Sequence, residues 1–179
     1  MTGRDAAGHG LLTLVLGGAR SGKSRYAESL IEAMPPPWIY LATAEARDAE
    51  MEQRIAAHRA RRDGRWQTVE APHDLAGALR AAPTGTPVLV DCLTLWLSNR
   101  MLAEGDMDRE IDKLESVLAN HNSVVVLVSN EVGAGIVPDN ALARRFQDLQ
   151  GTLNQRIAVR ASRVVFMVAG LPLQLKGTP

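Results

Sequence analysis

The sequence predicts an α/β sandwich, a mainly parallel sheet flanked by helices with ligands gathered at the carboxyl ends of its strands. Three observations predict it. Short apolar runs of strand length alternate with longer segments of helical periodicity along almost the whole chain. The first such junction, Gly17 to Ser24, is rich in glycine. The carboxylates Asp91 and Glu131 stand where two other apolar runs end.

Taken in order, Leu11 to Leu16 is an apolar run that ends in glycines and reads as a buried parallel strand. Arg25 to Met34 changes period, with Ala27, Leu30 and Ile31 on one helical face, and Pro35-Pro36-Pro37 stops it. Trp38 to Thr43 reads as a second strand. Asp48 to Arg62 is a charged helix with Met51, Ile55 and His58 along one side and a basic end. Trp66 to Glu70 alternates like a strand, Asp74 caps a helix running to Ala82, and Pro83 to Pro87 is a turn. Val88 to Cys92 is another buried strand, followed by an apolar helix or loop and helix from Leu93 to Ala103. Asp106 to Asn120 is amphipathic, with Ile111, Leu114 and Leu118 inward. Ser123 to Asn130 is the most hydrophobic strand, and Gly133 to Pro138 is a loop. Asn140 to Ala161 is a long helix with Leu142, Phe146, Leu149, Leu153 and Ile157 at helical spacing, and Val164 to Val168 is the last expected strand.

Composition sets the outer limits. A chain of 179 residues suits one domain, here expected over 11–179 after a disordered leader of small and polar residues at 1–10. An apolar fraction of 46% and a charged fraction of 22% exclude a disordered or fibrous class. Zero formal net charge leaves no global field for holding nucleic acid, so phosphate binding must be local. Cys92, the single cysteine, sits inside an apolar run and reads as a small buried hydrophobe, which calls for no oxidising compartment. No apolar stretch reaches the roughly 18 residues of a membrane span, and no signal-peptide core is present, so a cytoplasmic location is expected.

Gly17-Gly18-Ala19-Arg20-Ser21-Gly22-Lys23-Ser24 matches the pattern glycine, four residues, Gly-Lys-Ser, between an expected strand and an expected helix. Glycines let the backbone aim N–H groups at phosphate oxygens, the helix start adds its positive end, and Lys23 reaches the terminal phosphates. Ser24 is positioned to ligate Mg²⁺, so the motif predicts a nucleoside triphosphate with that cation. Asp91, closing a buried strand, is the expected metal-side carboxylate. Its alternative is to cap the helix that follows.

Further segments narrow the field. The loop at 17–25, the Ala42-Thr43-Ala44 turn, the stretch from Asp48 to Arg59, Ser129-Asn130-Glu131-Val132-Gly133, Gly135-Ile136-Val137-Pro138 and Asn154-Gln155-Arg156 together resemble the bifunctional adenosylcobinamide kinase and adenosylcobinamide-phosphate guanylyltransferase family over nearly the whole chain. The resemblance implies phosphorylation of adenosylcobinamide with ATP or GTP. It then implies transfer of GMP from GTP through a covalent histidine, giving adenosylcobinamide-GDP and pyrophosphate. The matching histidine is His58. Some relatives carry a second histidine just before it, where this chain has Ala57.

By the same matching Thr43, Ala44, Glu45, the segment Arg59-Ala60-Arg61-Arg62, Glu70 and Asp91 are expected at the nucleotide, and relatives are homotrimers. The chemistry agrees: a neutral imidazole can attack phosphorus, and guanidinium groups hold phosphate oxygens while disfavouring imidazolium. Without the resemblance, His58 reads as a solvated side chain on a basic helix, and Glu70 after its short strand is equally a nucleotide contact or a solvated carboxylate. Glu131 is either a ligand at a strand end or a loop hydrogen-bond acceptor. His9, His73 and His121 read as surface residues. Two other functions stay open at this level, a plain small-molecule kinase and a regulatory nucleotide-binding module that modifies no small molecule.

Overall fold

The computed structural model describes residues 11–177, so the leader expected at 1–10 and His9 lie outside the described residues. The strands are β1 (Leu12–Gly17), β2 (Trp38–Ala42), β3 (Trp66–Glu70), β4 (Val88–Asp91), β5 (Val125–Asn130), β6 (Arg163–Val168) and β7 (Leu171–Lys176). The helices are α1 (Lys23–Glu32), α2 (Ala49–Ala60), α3 (Leu75–Ala81), α4 (Leu93–Leu102), α5 (Met107–Ala119) and α6 (Ala141–Arg160). One sheet runs in the order β3-β2-β4-β5-β1-β6-β7, with β1 to β6 parallel and β7 antiparallel to β6. The α/β class with a mainly parallel sheet is thus observed.

Side-chain parity along the central strands sorts the two layers. Leu12, Leu14, Leu16, Ile39, Leu41, Val88, Val90, Val125 and Leu127 face the core shared with α3 to α6, where Leu97, Ile111, Leu114, Leu153 and Ile157 are fully buried. Val15, Trp38, Tyr40, Leu89, Val126 and Val128 face the second core, against Ala27 and Ile31 of α1. The same parity sends the strand-end residues Asp91 and Asn130 toward the α1 side. The expected inward residues of α5 are all buried. α2 differs from the other helices in having no buried residue at all.

Two expectations change. The sheet does not end at Val168: Ala169 (φ 52°) and Gly170 (φ 81°) form a two-residue turn into β7. Positive φ at both turn residues is what a tight hairpin with the natural strand twist requires. Pro172 stands between the alternating Leu171, Leu173 and Leu175 of β7, and a proline within such a run argues against a strand, but β7 is an edge, where proline is tolerated. His121 is also no plain surface residue. Its Nε2 lies 3.1 Å from the Leu79 carbonyl and its Nδ1 accepts from the Ser123 N–H at 3.2 Å, so the ring ties the end of α3 to the approach to β5.

Candidate active site

At the carboxyl end of β1 the chain turns through Gly17 to Gly22 into α1. A Cβ on Gly17 would sit 2.5 Å from Ser21 Oγ and 2.9 Å from the Met167 carbonyl. Gly22 has φ 89°, a left-handed conformation that a side chain disfavours. Lys23 Nζ donates to the Gly18 carbonyl at 2.9 Å, folding the ammonium back over the loop. The unexpected hairpin braces this loop, since the Gly170 N–H donates to the Ser21 carbonyl at 3.1 Å. α2, α3, α5 and α6 are capped by the side chains of Asp48, Asp74, Asp106 and Asn140. α1 has no side-chain cap and no acidic residue in its first turn. Its N–H groups and positive dipole end are left for an anion.

A cavity of about 490 Å³ opens above the loop, within the roughly 300–1,000 Å³ of small-molecule sites. Ala19 through Ser24, Ala44, His58, Arg59, Arg61, Arg62, Glu70 and Asp91 line it, as do Arg25 and Arg54. The wall is strongly cationic although the whole chain has no net charge. Gly17, Gly18, Thr43, Glu45 and Ala60 were expected at the nucleotide but are not part of the cavity wall. Gly17 is the buried end of β1. The buried Thr43 hydroxyl is spent on Cys92, accepting from its N–H and donating to its carbonyl, both at 2.7 Å. Glu45 is held outside by Arg47 at 2.6 Å and by His73 at 2.8 Å. Ala60 faces the outer groove of α2.

Asp91 does not cap α4. The cap position is Cys92, and no side chain caps that helix. Instead the Tyr40 hydroxyl donates to Asp91 Oδ2 at 3.1 Å, and His58 Nδ1 stands 3.8 Å from the same oxygen. Arg61 Nη2 lies 3.0 Å from His58 Nδ1 and 3.4 Å from Glu28 Oε1. Arg59 pairs with Glu70 at 2.8 Å. The Arg62 guanidinium carbon lies 3.5 Å from the Tyr40 ring centroid, and its Nε and Nη1 are buried without partners. Two such donors beside a cavity suit the oxygens of an anionic ligand. Glu131 Oε1 accepts from the Gly133 N–H at 2.7 Å, which is the loop-stabilising alternative for that residue.

Burial lowers the pKa of His58 despite the opposing pull of Asp91, and Arg61, Arg62 and Arg54 push it the same way, so the ring is held neutral. Burial also lowers the Lys23 ammonium, against the attraction of Asp91. Cys92 is pushed up to about 11 by burial and stays a thiol. Tyr40 and Asn130 line the cavity without having been singled out for a role in it. Asn130 ends an apolar strand, the same signal that flagged Asp91. Tyr40, in mid-strand, gave no signal.

A family model described as cobinamide kinase / cobinamide phosphate guanyltransferase matches residues 13–175. A bifunctional adenosylcobalamin biosynthesis protein of Pseudomonas aeruginosa is 51% identical over 93% of this chain and 98% of its own length. A protein of the same description from Salmonella typhimurium is 39% identical over 93% of this chain and 100% of its own length. Among solved structures, a Pyrococcus horikoshii protein superposes with TM-score 0.57 at 8% identity, covering 94% of this chain and 87% of its own. An ATPase of a type III secretion system gives TM-score 0.56 at 12% identity over 87% of this chain, which spans 50% of that longer one. These two share the fold. By the match over nearly all its length, the chain belongs to the cobinamide kinase / cobinamide phosphate guanyltransferase family.

Proposed function

We propose that this protein phosphorylates the aminopropanol hydroxyl of adenosylcobinamide with ATP or GTP and then transfers GMP from GTP to that phosphate through a covalent His58 intermediate. The observation that carries the reading is the sharing of one cavity: His58 stands 3.8 Å from Asp91 in a wall that also contains Lys23 and Ser24. A plain kinase has no use for a neutral histidine ringed by arginines beside its phosphate loop. A nucleotide switch has none either.

In the first reaction the substrate oxygen attacks the γ-phosphorus, the bond to the β-phosphate bridging oxygen breaks, the nucleoside diphosphate leaves, and the hydroxyl proton passes to an oxygen of the transferred phosphoryl group and from there to solvent. Lys23, the loop N–H groups and the start of α1 hold the phosphates in line, which is most of what phosphoryl transfer asks of a protein. In the second, a lone pair of the His58 ring attacks the α-phosphorus of GTP and pyrophosphate leaves. The phosphate of the corrinoid then attacks the same phosphorus, the P–N bond breaks, and the free imidazole returns. Arg61 and Arg62 offset the charge on the phosphorus oxygens. With Arg61 donating to Nδ1, the neutral ring carries its proton on Nε2. Transfer of Arg61 to a phosphate would release Nδ1 to hold the proton toward Asp91 and leave the Nε2 lone pair free to attack.

Mg²⁺ fits the oxygens available, because the Ser24 hydroxyl and the Asp91 carboxylate line the same cavity and a hard cation of this kind is held by one or two protein oxygens plus phosphates and water. Among the described residues no group of three or more His, Cys, Asp or Glu could hold a metal unaided, and substrate phosphates and water would supply the remaining oxygens. Bound there, the cation neutralises phosphate charge. A homotrimeric assembly and a cytoplasmic location belong to the same proposal, and no described helix is long and apolar enough to cross a membrane.

The test is to supply adenosylcobinamide with ATP and GTP and identify the corrinoid product by mass. The phosphate and then the GDP adduct are expected. Accumulation of the phosphate alone would leave a plain kinase, and nucleotide hydrolysis without any corrinoid product would leave the regulatory module.

A further inference from the structure

Asn130 closes β5 between the two strands that carry the phosphate machinery, in register with Gly17 of β1 on one side, while its neighbour β4 pairs Asp91 with Val128 on the other. Both of its backbone groups are held by side chains. Its N–H donates to Thr94 Oγ1 at 2.8 Å, and its carbonyl accepts from Asn154 Nδ2 at 3.0 Å. Asn154 is fixed in turn, its Oδ1 accepting from Ser129 Oγ at 2.7 Å and from Gln150 Nε2 at 2.9 Å. Ser129 and Gln150 are fully buried, and Thr94 and Asn154 nearly so. Parity explains the division: Ser129 points to the α6 side and is consumed by this cluster, whereas Asn130 points to the α1 side and lines the cavity. There its Oδ1 is buried and has no partner. A clamped backbone that carries an unpaired acceptor into a ligand cavity is a pattern that wants a donor from the ligand.

The chemistry of the ligands decides which donor. Phosphate oxygens are acceptors and repel a carbonyl oxygen. The alcohol to be phosphorylated brings an O–H. We propose that Asn130 Oδ1 accepts the hydroxyl hydrogen of the acceptor substrate and so turns the oxygen lone pair toward the γ-phosphorus. Asn130 thereby becomes a substrate-contacting residue of the first reaction; the amide orients the hydroxyl and takes no proton. The proposal rests on the kinase reading above and names a contact within it. The phosphorylated product no longer has that O–H, so the contact serves the first reaction and has no partner in the second.

The experiment compares Asn130→Ala with the parental enzyme in three measurements: kcat and nucleotide KM for phosphorylation of adenosylcobinamide, guanylylation of adenosylcobinamide phosphate supplied ready-made, and Tm. Misplacing an attacking oxygen by a fraction of its working geometry costs about a hundredfold in kcat. The expected result is a loss of that size in phosphorylation with nucleotide KM within about threefold, a guanylylation loss below about tenfold, and a Tm no lower than the parental value, because the deleted oxygen pairs with nothing in the protein. Asn154→Leu, which removes the clamp, should instead lower Tm and both activities together. Parental kcat for phosphorylation in Asn130→Ala would overturn the proposal. Equal loss of both reactions would overturn it in favour of a structural role, and a rise in nucleotide KM with altered Mg²⁺ dependence would do so in favour of a contact to metal-bound water. Turnover of the parental enzyme in the same assay reports separately on the kinase reading itself.

Discussion

On the proposed mechanism His58 must be neutral to attack phosphorus, and yet it sits within reach of a carboxylate that favours its charged form. Burial settles the contest, with three guanidinium groups adding to it. The sign of the consequence follows: a pKa lowered from 6.5 keeps the nucleophile unprotonated to lower pH. The acid limb of the guanylylation rate should therefore fall below the ordinary histidine range, and Arg61→Gln should move it up only slightly, since burial is the larger cause. A limb at or above pH 6.5 in the parental enzyme would show that the ring is not held as described. At the same scale, Lys23→Ala should abolish both reactions, because its ammonium is the charge folded back over the phosphate loop. Phosphorylation at parental rate in that variant would remove the loop from the mechanism. His58 and Lys23, the candidates that resemblance and motif supplied, line one cavity. The Tyr40 hydroxyl on Asp91 was not legible in the sequence, because a contact between residues 51 positions apart exists only once β2 and β4 are paired.

The elements differ in how they are fastened. α5 and α6 are joined by Arg156, which bonds both Asp112 and Glu115, and by Arg160, whose Nε lies 3.1 Å from Glu115 Oε1. Hydrogen bonds from Arg156 lead the causes that hold the Glu115 carboxyl below its usual range. Such a group stabilises the fold above the unfolded value of about 4.5 and loses that contribution as pH falls through the folded one. Arg156→Ala should cost about 1–3 kcal/mol at pH 7 by leaving a nearly buried carboxylate under-bonded. The gap in Tm between variant and parent should narrow below pH 4.5; a constant gap would assign the loss to packing. α2 has no buried residue and is tied down through charged groups at its end, Arg59 to Glu70 and Arg61 to Glu28. Its amides should exchange with solvent much faster than those of α5 and slow when nucleotide occupies the cavity. Uniform protection across the two helices would contradict that contrast. Helix caps and apolar periodicity made most of these elements readable. β7 was missed because Pro172 breaks the strand pattern and because Ala169-Gly170 is a weaker turn signal than a pair such as Asn-Gly.

For the whole molecule, the decisive arrangement is that the sheet brings the ends of β2, β3, β4 and β5 and the loop after β1 to one cavity while α2 lays its basic end across the same opening. Alternating apolar runs forecast the sheet. They did not forecast which strand-end residues would share a wall, because that depends on strand order, and strand order is set by packing between segments far apart in sequence. The proposed function, with one cavity for two reactions, places the division of labour on individual side chains: the loop and Lys23 for phosphates in both steps, His58 for the second alone. The most direct measurement is therefore made on His58→Ala, with Ala57 beside it unable to substitute. GTP labelled at the α-phosphate is followed onto the protein and into the corrinoid, and phosphorylation of adenosylcobinamide is assayed in parallel. Loss of protein labelling and of adenosylcobinamide-GDP, with phosphorylation still measurable, is the predicted result; formation of adenosylcobinamide-GDP at the parental rate would contradict it.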